Sequence, residues 1–126
     1  MNRKLFVLAG VVLLAMTARP VLAHHGGAAF DQTKTVTLSG TVTELDFVNP
    51  HVVILVDVQN AGGGITHWSG WLTAPNKLQR AGWSKRTLQA GDHVTLVGNA
   101  QKNGSPVLQV RKLTGPDSKD LPLSEN

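Results

Sequence analysis

The sequence contains no cysteine and no tyrosine, and its two methionines, Met1 and Met16, both lie near the N-terminus. Because there is no cysteine, no disulfide can stabilise the fold, and a chain of 126 residues has to rely on one hydrophobic core. The lack of cysteine and of later methionines also excludes a soft Cu(I) site. A carboxylate pair, a nucleophile elbow and a glycine-rich phosphate loop are missing as well, so the sequence predicts no enzyme.

The first 23 residues have the three parts of a secretory signal peptide. Arg3 and Lys4 form a basic start, residues 5–16 are an apolar run, and residues 21–23 supply a cleavage site that ends at Ala23. An apolar run of this length covers about 18 Å as a helix, against roughly 30 Å for a bilayer core, so we expect no retained membrane anchor. The sequence predicts a periplasmic or secreted protein cleaved after Ala23, and an uncleaved anchor is the alternative.

The expected mature chain carries little net charge. Three of the twelve basic residues lie within residues 1–23 and all eight acidic residues follow, so cleavage lowers the net charge from +4 to +1. The remaining Lys and Arg residues are scattered along the chain rather than clustered. Nucleic-acid recognition normally needs a basic patch, so we expect no nucleic-acid partner.

Beyond the signal peptide, the chain divides into an arm, a β-rich domain and a tail. Residues 24–34 are rich in His and Gly and have no periodicity, which predicts a flexible arm. Apolar alternation or continuous apolar character predicts five strands, and Pro75 and Gly82 bracket the single predicted helix, between the third and fourth strands. The predicted strands are residues 35–47, 52–58, 65–72, 92–100 and 107–113. The polar residues 115–126 predict a disordered tail.

This element order predicts a mainly β domain over residues 35–114, a small five-stranded OB-like barrel with one short helix between strands 3 and 4. Gly40 predicts a bend or a close backbone approach within the first strand. The apolar parity changes after Val42, which predicts a bulge near Thr43 and Glu44. An open five-stranded sheet with the helix on one face is the alternative fold.

All five histidines lie beyond residue 23, and cleavage would make His24 the N-terminal residue. A terminal histidine can chelate a metal ion through its α-amine and its own imidazole, and further imidazoles complete a nitrogen-rich site. Such a site suits Cu(II) or Ni(II), or Zn(II) in tetrahedral form. His25 and His51 are the further ligand candidates, because His51 follows Asn49-Pro50 in a loop that OB barrels use for binding.

Several alternatives stay open at this point. The histidines on the arm could carry no metal, and His51 could fix its loop by hydrogen bonds to backbone groups. The second function considered is a metal-free interaction domain that binds a protein, a glycan or a small molecule on the barrel face. A copper-dependent redox enzyme is a third. Of the three tryptophans, Trp68, Trp71 and Trp83, at least two are expected in the core.

A set of short motifs extends over nearly the whole mature chain: His24-His25, Phe30-Asp31, Leu38-Ser39-Gly40-Thr41-Val42, Asn49-Pro50-His51-Val52, Trp68, Pro75-Asn76, Gly82-Trp83 and Gly91-Asp92 with Val94. As a set they resemble the small secreted bacterial proteins catalogued as domain of unknown function 6152. The resemblance implies a periplasmic β-rich domain and no established activity. It also implies an acidic residue three positions after Trp68, where this chain has Trp71. By element order alone, the chain is similar to periplasmic OB-fold stress proteins.

Overall fold

The structure is a computed structural model that describes residues 27–124. The expected signal peptide, His24 and His25 lie outside these residues. Five strands and one helix follow one another in the expected order: β1 (Val36–Asp46), β2 (Val53–Gln59), β3 (Ile65–Trp71), α1 (Pro75–Arg80), β4 (His93–Ala100) and β5 (Val107–Thr114). Every strand lies within one residue of its predicted bounds, because alternation of apolar and polar side chains is a local signal.

The five strands close into a barrel in the order β1-β2-β3-β5-β4. Neighbouring strands are antiparallel except β3 and β5, which pair in parallel where Ser69 lies opposite Val107. β1 pairs with β4 along its first half and with β2 along its second half, so it joins the two ends of the sheet. The expected mainly β barrel with one helix after the third strand is confirmed. The open-sheet alternative is wrong, because the hydrogen-bonded ladder closes on itself.

Gly40 lies where β1 passes from β4 to β2. A Cβ atom at this position would collide with the carbonyl oxygen of Asp57 and lie 2.6 Å from Val56 Cγ1. Glycine therefore allows the close backbone approach that the sequence predicts. The register between β1 and β2 shifts between Val42 and Glu44, which confirms the expected bulge.

Helix α1 is short because the sequence has a start signal at Pro75 and a stop signal at Gly82, only seven positions later. Pro75 stands in the first turn, where its missing N–H costs no helical hydrogen bond. At the other end Gly82 has a φ of +96°, and Trp83 donates its N–H to the carbonyl of Leu78. Within residues 27–124, no helix combines the length and the apolar character needed to cross a membrane.

The barrel interior is filled by apolar side chains from all five strands. Ile54, Leu96 and Leu108 are fully buried there, and Leu78 and Trp83 pack into the same cluster from the helix side. Trp68 is half-buried against it, so two of the three tryptophans have the expected core role. With no disulfide in the chain, this apolar burial supplies most of the favourable free energy of folding.

The C-terminal tail contacts the barrel. Its described part, residues 115–124, was expected to be disordered but lies against the barrel. Leu121 donates its backbone N–H to Leu113, and Pro122 accepts a 2.7 Å hydrogen bond from the indole nitrogen of Trp83. Leu121 and Leu123 pack against the core. Two leucines in an otherwise polar segment are enough to anchor these residues once a receiving surface exists.

The Trp83 hydrogen bond gives a test of tail docking. We expect Trp83→Phe to lower the free energy of unfolding by about 1.5 kcal/mol, because Pro122 loses its donor and the smaller ring leaves space. Urea unfolding measures this cost. In a chain that ends after residue 120 the same substitution should cost clearly less, since the acceptor is gone. An equal cost in both chains would show that the hydrogen bond to the tail is not the cause.

Candidate functional site

His51 lies in the loop between β1 and β2, immediately after the cis peptide bond of Asn49-Pro50. Its side chain is exposed and stacks on the indole of Trp71, with ring centroids 5.7 Å apart and an angle of 17° between the planes. Trp71 ends β3 and points outward, because it alternates with the buried Gly70. The stack fixes the plane of the imidazole and leaves its edges, where both nitrogens lie, clear of the indole face.

The arm contacts the same indole. Phe30 meets Trp71 edge to face, with centroids 5.9 Å apart and an interplanar angle of 67°. It is only 2% exposed and forms an isolated β-bridge with Gln101. His51 and Phe30 thus both contact Trp71, and the three rings join the loop before β2, the end of β3 and the arm.

A buried amide fastens the arm to the barrel. Asn99 of β4 is 7% exposed and donates from its side chain to the carbonyl of Asp31 at 3.1 Å and to that of Lys34 at 2.9 Å. The backbone N–H of Asp31 also donates to Ala100. Thr33 donates from its hydroxyl and its amide to the Asp31 carboxylate, which holds the pKa of that carboxyl below its usual value. The expected flexible arm is therefore docked on the barrel from residue 30 onward, through contacts that no local pattern reveals.

Arg111 of β5 extends this network towards His51. Its guanidinium donates to Asn99 Oδ1 at 3.2 Å, to Gln32 Oε1 at 2.9 Å and to Gln109 Oε1 at 3.0 Å. All three acceptors are neutral amide oxygens, and within residues 27–124 no carboxylate forms an ion pair with Arg111. The side chain therefore holds Gln32 of the arm against β5 while keeping its positive charge.

A cavity of about 290 Å³ lies among these groups. Gly27, the first described residue, lines it together with His51, Trp71 and Arg111. The structure thus brings the arm to the loop that carries His51, which the sequence names as a ligand candidate. The other two candidates, His24 and His25, lie outside the described residues, and His24 stands only three positions before Gly27 along the chain.

The remaining two histidines have different surroundings. His67 shares a hydrogen bond of 2.5 Å between its Nδ1 and the Asp57 carboxylate, and Nδ1 of His93 lies 3.2 Å from the hydroxyl of Thr41. Both side chains lie on the outside of the barrel, away from the cavity at His51. Among the described histidines, His51 is the one whose ring nitrogens take part in no hydrogen bond or ion pair of residues 27–124.

Sequence reasoning missed the partners of His51. The three-residue spacing of Trp68 and Trp71 places them on opposite faces of a regular strand, but nothing in the sequence shows which of them faces outward or that the Trp71 ring stacks on His51. Trp71 is also the position where the family resemblance implies an acidic residue, so His51 is paired here with an indole. Within the described part of the chain, no three His, Cys, Asp or Glu residues are arranged to hold a metal ion. A metal at His51 would therefore need ligands from residues before Gly27.

The chain matches the model of a family of unknown function, DUF6152, over residues 11–108. This stretch is well over half of the chain and runs from the expected signal peptide into β5, so it includes His24, His25, His51 and Trp71. The comparison with curated proteins and the comparison with solved structures found no match. The chain belongs to this family, and the resemblance noted in the sequence is confirmed.

Proposed function

We propose that this member of the family is an exported, non-enzymatic binding module that holds a divalent transition metal ion through His24, His25 and His51. One observation carries the proposal: Gly27, which follows the histidines of the arm, lines the same cavity as the exposed ring of His51. The arm thus leads from the expected mature N-terminus to the one described histidine with both ring nitrogens free of hydrogen bonds to residues 27–124. Export and cleavage after Ala23 rest on the signal-peptide pattern.

Chain length is compatible with a shared site. Three residues in extended conformation span about 10 Å, so the α-amine and imidazole of His24 are within reach of the cavity that Gly27 lines. His25 lies one residue closer. Docking of Phe30 and Asp31 restricts where this short segment can go, which lowers the entropy cost of bringing its donors to His51.

The types of donor atom available at the proposed site determine which metal ions it would bind. The α-amine, the ring nitrogens of His24 and His25 and that of His51 give nitrogen donors only, and neither thiolate nor thioether follows residue 16. Such sites favour Cu(II) or Ni(II) in tetragonal geometry, and the tetrahedral arrangement suits Zn(II). The stack on Trp71 holds the plane of the His51 ring, a role that hydrogen-bonded partners play at many metal sites.

The decisive experiment changes only the N-terminus. The processed protein is purified from the periplasm, its first residue is confirmed by intact mass, and Cu(II), Ni(II) and Zn(II) are titrated by calorimetry. We expect one Cu(II) ion per chain, and an affinity at least about a hundredfold lower when three serines are placed before His24, because neither histidine then stands second or third behind the α-amine, the positions from which ring and amine can chelate one ion together. Equal affinity with and without the three added serines, or a mature chain that does not begin at His24, would rule the proposal out.

A pair of histidine variants separates the shared site from a chelate made by the terminus alone. His51→Ala should lower Cu(II) affinity about tenfold, since one nitrogen donor is lost. His93→Ala is the matched control, because His93 is also exposed but lies on another part of the barrel, and its affinity should equal that of the unmodified protein. If His51→Ala binds Cu(II) as tightly as His93→Ala, His51 is not a ligand.

A further inference from the structure

A groove on the barrel lies away from His51. It has a volume of about 640 Å³ and is lined by residues of β1, β2 and β4, by Ile65 and Thr114 at the ends of β3 and β5, and by Gly115, Pro116 and Ser118. This volume falls within the range of roughly 300–1,000 Å³ that is usual for small-molecule sites. His51, the described residue among the proposed metal ligands, does not line this groove.

Four polar residues cross the barrel in one transverse row beside this groove. His93 lies opposite Thr41, Thr41 lies opposite Asp57, and Asp57 lies opposite His67. The two histidines at the ends each engage their neighbour through Nδ1. His67 engages only one carboxylate oxygen of Asp57, so the second oxygen forms no hydrogen bond with residues 27–124. Asp57 is paired across the strands with Thr41, which carries a hydroxyl.

A second row of hydroxyls runs parallel to the first. Thr95 lies opposite Thr114 on one side and Ser39 on the other, and the hydroxyls of Ser39 and Thr95 are 3.1 Å apart. Ser118 adds a further hydroxyl from the segment that borders the groove. The two rows give closely spaced groups that can both donate and accept hydrogen bonds.

The charge and the apolar contacts of the groove narrow the ligand class. Its lining contains one carboxylate, that of Asp57, and neither lysine nor arginine, which disfavours phosphates and other anions. Ile65 at the rim is 56% exposed, one of the two large apolar side chains in residues 27–124 with such exposure, and Pro116 lies in the same lining. A neutral ligand with many hydroxyls and an apolar C–H face fits this combination.

We propose that the groove binds a neutral saccharide. Ligand hydroxyls donate to the Asp57 carboxylate and exchange hydrogen bonds with Thr41 and Thr95, while the C–H face of a sugar ring lies on Ile65 and Pro116. A carboxylate that accepts from a hydroxyl forms one of the stronger hydrogen bonds available at a neutral site. This binding is independent of the metal site, because the two sets of residues share no member.

The test uses metal-free protein in the presence of a chelator, with maltotetraose and chitotetraose as probes. We expect one of them to cause saturable shifts in nitrogen-15 NMR spectra at the amides of Thr41, Thr95 and Ser118, with the indole signal of Trp71 unchanged. No saturable shift with either sugar up to about 10 mM, a concentration that still detects millimolar affinity, would overturn the proposal. Shifts confined to the surroundings of Trp71 would overturn it as well.

Isosteric variants decide whether the hydroxyls bind the ligand. Thr41→Val and Thr95→Val keep shape and strand propensity and should each weaken binding about tenfold, while melting temperatures stay close to that of the unmodified protein. Thr37→Val is the matched control, because Thr37 is exposed on the same face of β1 but lies outside the groove, and its affinity should be unchanged. If all three variants bind with equal affinity, the hydroxyl rows do not form the site.

Discussion

Replacing Gly98 by alanine is expected to lower the free energy of unfolding by at least about 3 kcal/mol, one of the two largest effects of a single substitution predicted for this chain. Gly98 lies in β4 where the register against β5 shifts. An added Cβ would collide with the carbonyl oxygen of Gln109 and lie 2.9 Å from its carbonyl carbon and 3.1 Å from Val110 Cα. All three atoms belong to the backbone of β5, so no side chain can rotate away and the strands themselves must separate.

Urea unfolding followed by circular dichroism measures this cost, and Gly62→Ala is the matched control. Gly62 lies in the turn between β2 and β3, where an added Cβ meets no atom within 4 Å. It should leave stability unchanged or raise it slightly, since alanine restricts the unfolded chain. If both variants unfold at the same urea concentration, the close approach of β4 and β5 at Gly98 is not required by the fold.

Replacing Phe30 by alanine is expected to affect both stability and metal binding. Phe30 is 2% exposed, and truncation of a buried phenylalanine costs about 3–5 kcal/mol. The substitution removes the ring that contacts Trp71, so residues 27–31 lose an anchor beside His51. We therefore expect Cu(II) affinity to fall about tenfold, the same loss as for His51→Ala, while the chelate made by His24 alone survives.

Leu88→Ala is the control for this second prediction. Leu88 is 1% exposed and belongs to the main core cluster, whereas Phe30 packs outside that cluster. Its truncation should also destabilise the protein by several kcal/mol but leave Cu(II) affinity unchanged at a temperature where both variants are folded. Calorimetric titration checks this. If Leu88→Ala lowers Cu(II) affinity as much as Phe30→Ala does, the loss comes from general destabilisation, and the docked arm has no specific role in metal binding.

The importance of Gly98 and of Phe30 could not be predicted from the sequence, whereas that of Gly40 could. The need for a small residue at a barrel crossing was visible in the sequence at Gly40, because a glycine interrupted an otherwise regular alternation. Gly98 carried no such signal, since the collision involves the carbonyl of Gln109, and the approach of β5 exists only in the folded barrel. The role of Phe30 was likewise hidden, because a single aromatic residue in a glycine-rich segment has no periodic context.

Some residues of the candidate site could be predicted from the sequence, and others could not. The sequence identified His51 as a ligand candidate from its place after Asn49-Pro50, and the structure places it at the cavity that the arm reaches. Trp71 and Arg111 were not recognised, because each belongs to the site through contacts with residues far away along the chain. The hydroxyls of Thr41 and Thr95 were also missed, since threonines on the polar side of a strand are ordinary until neighbouring strands bring them into line.

By itself the sequence determined the number, order and bounds of the strands, the position of the helix, the bulge in β1 and the family. These features follow from side-chain alternation and from Gly and Pro at the ends of elements, which act over a few residues. Only the tertiary structure decided that the arm and the tail pack on the barrel. The hydrogen bonds that hold these segments join residues far apart in the sequence: the side-chain amide of Asn99 donates to Asp31, 68 residues away, and the indole of Trp83 donates to Pro122, 39 residues away. The surfaces on which the arm and the tail pack therefore form only when the barrel has closed.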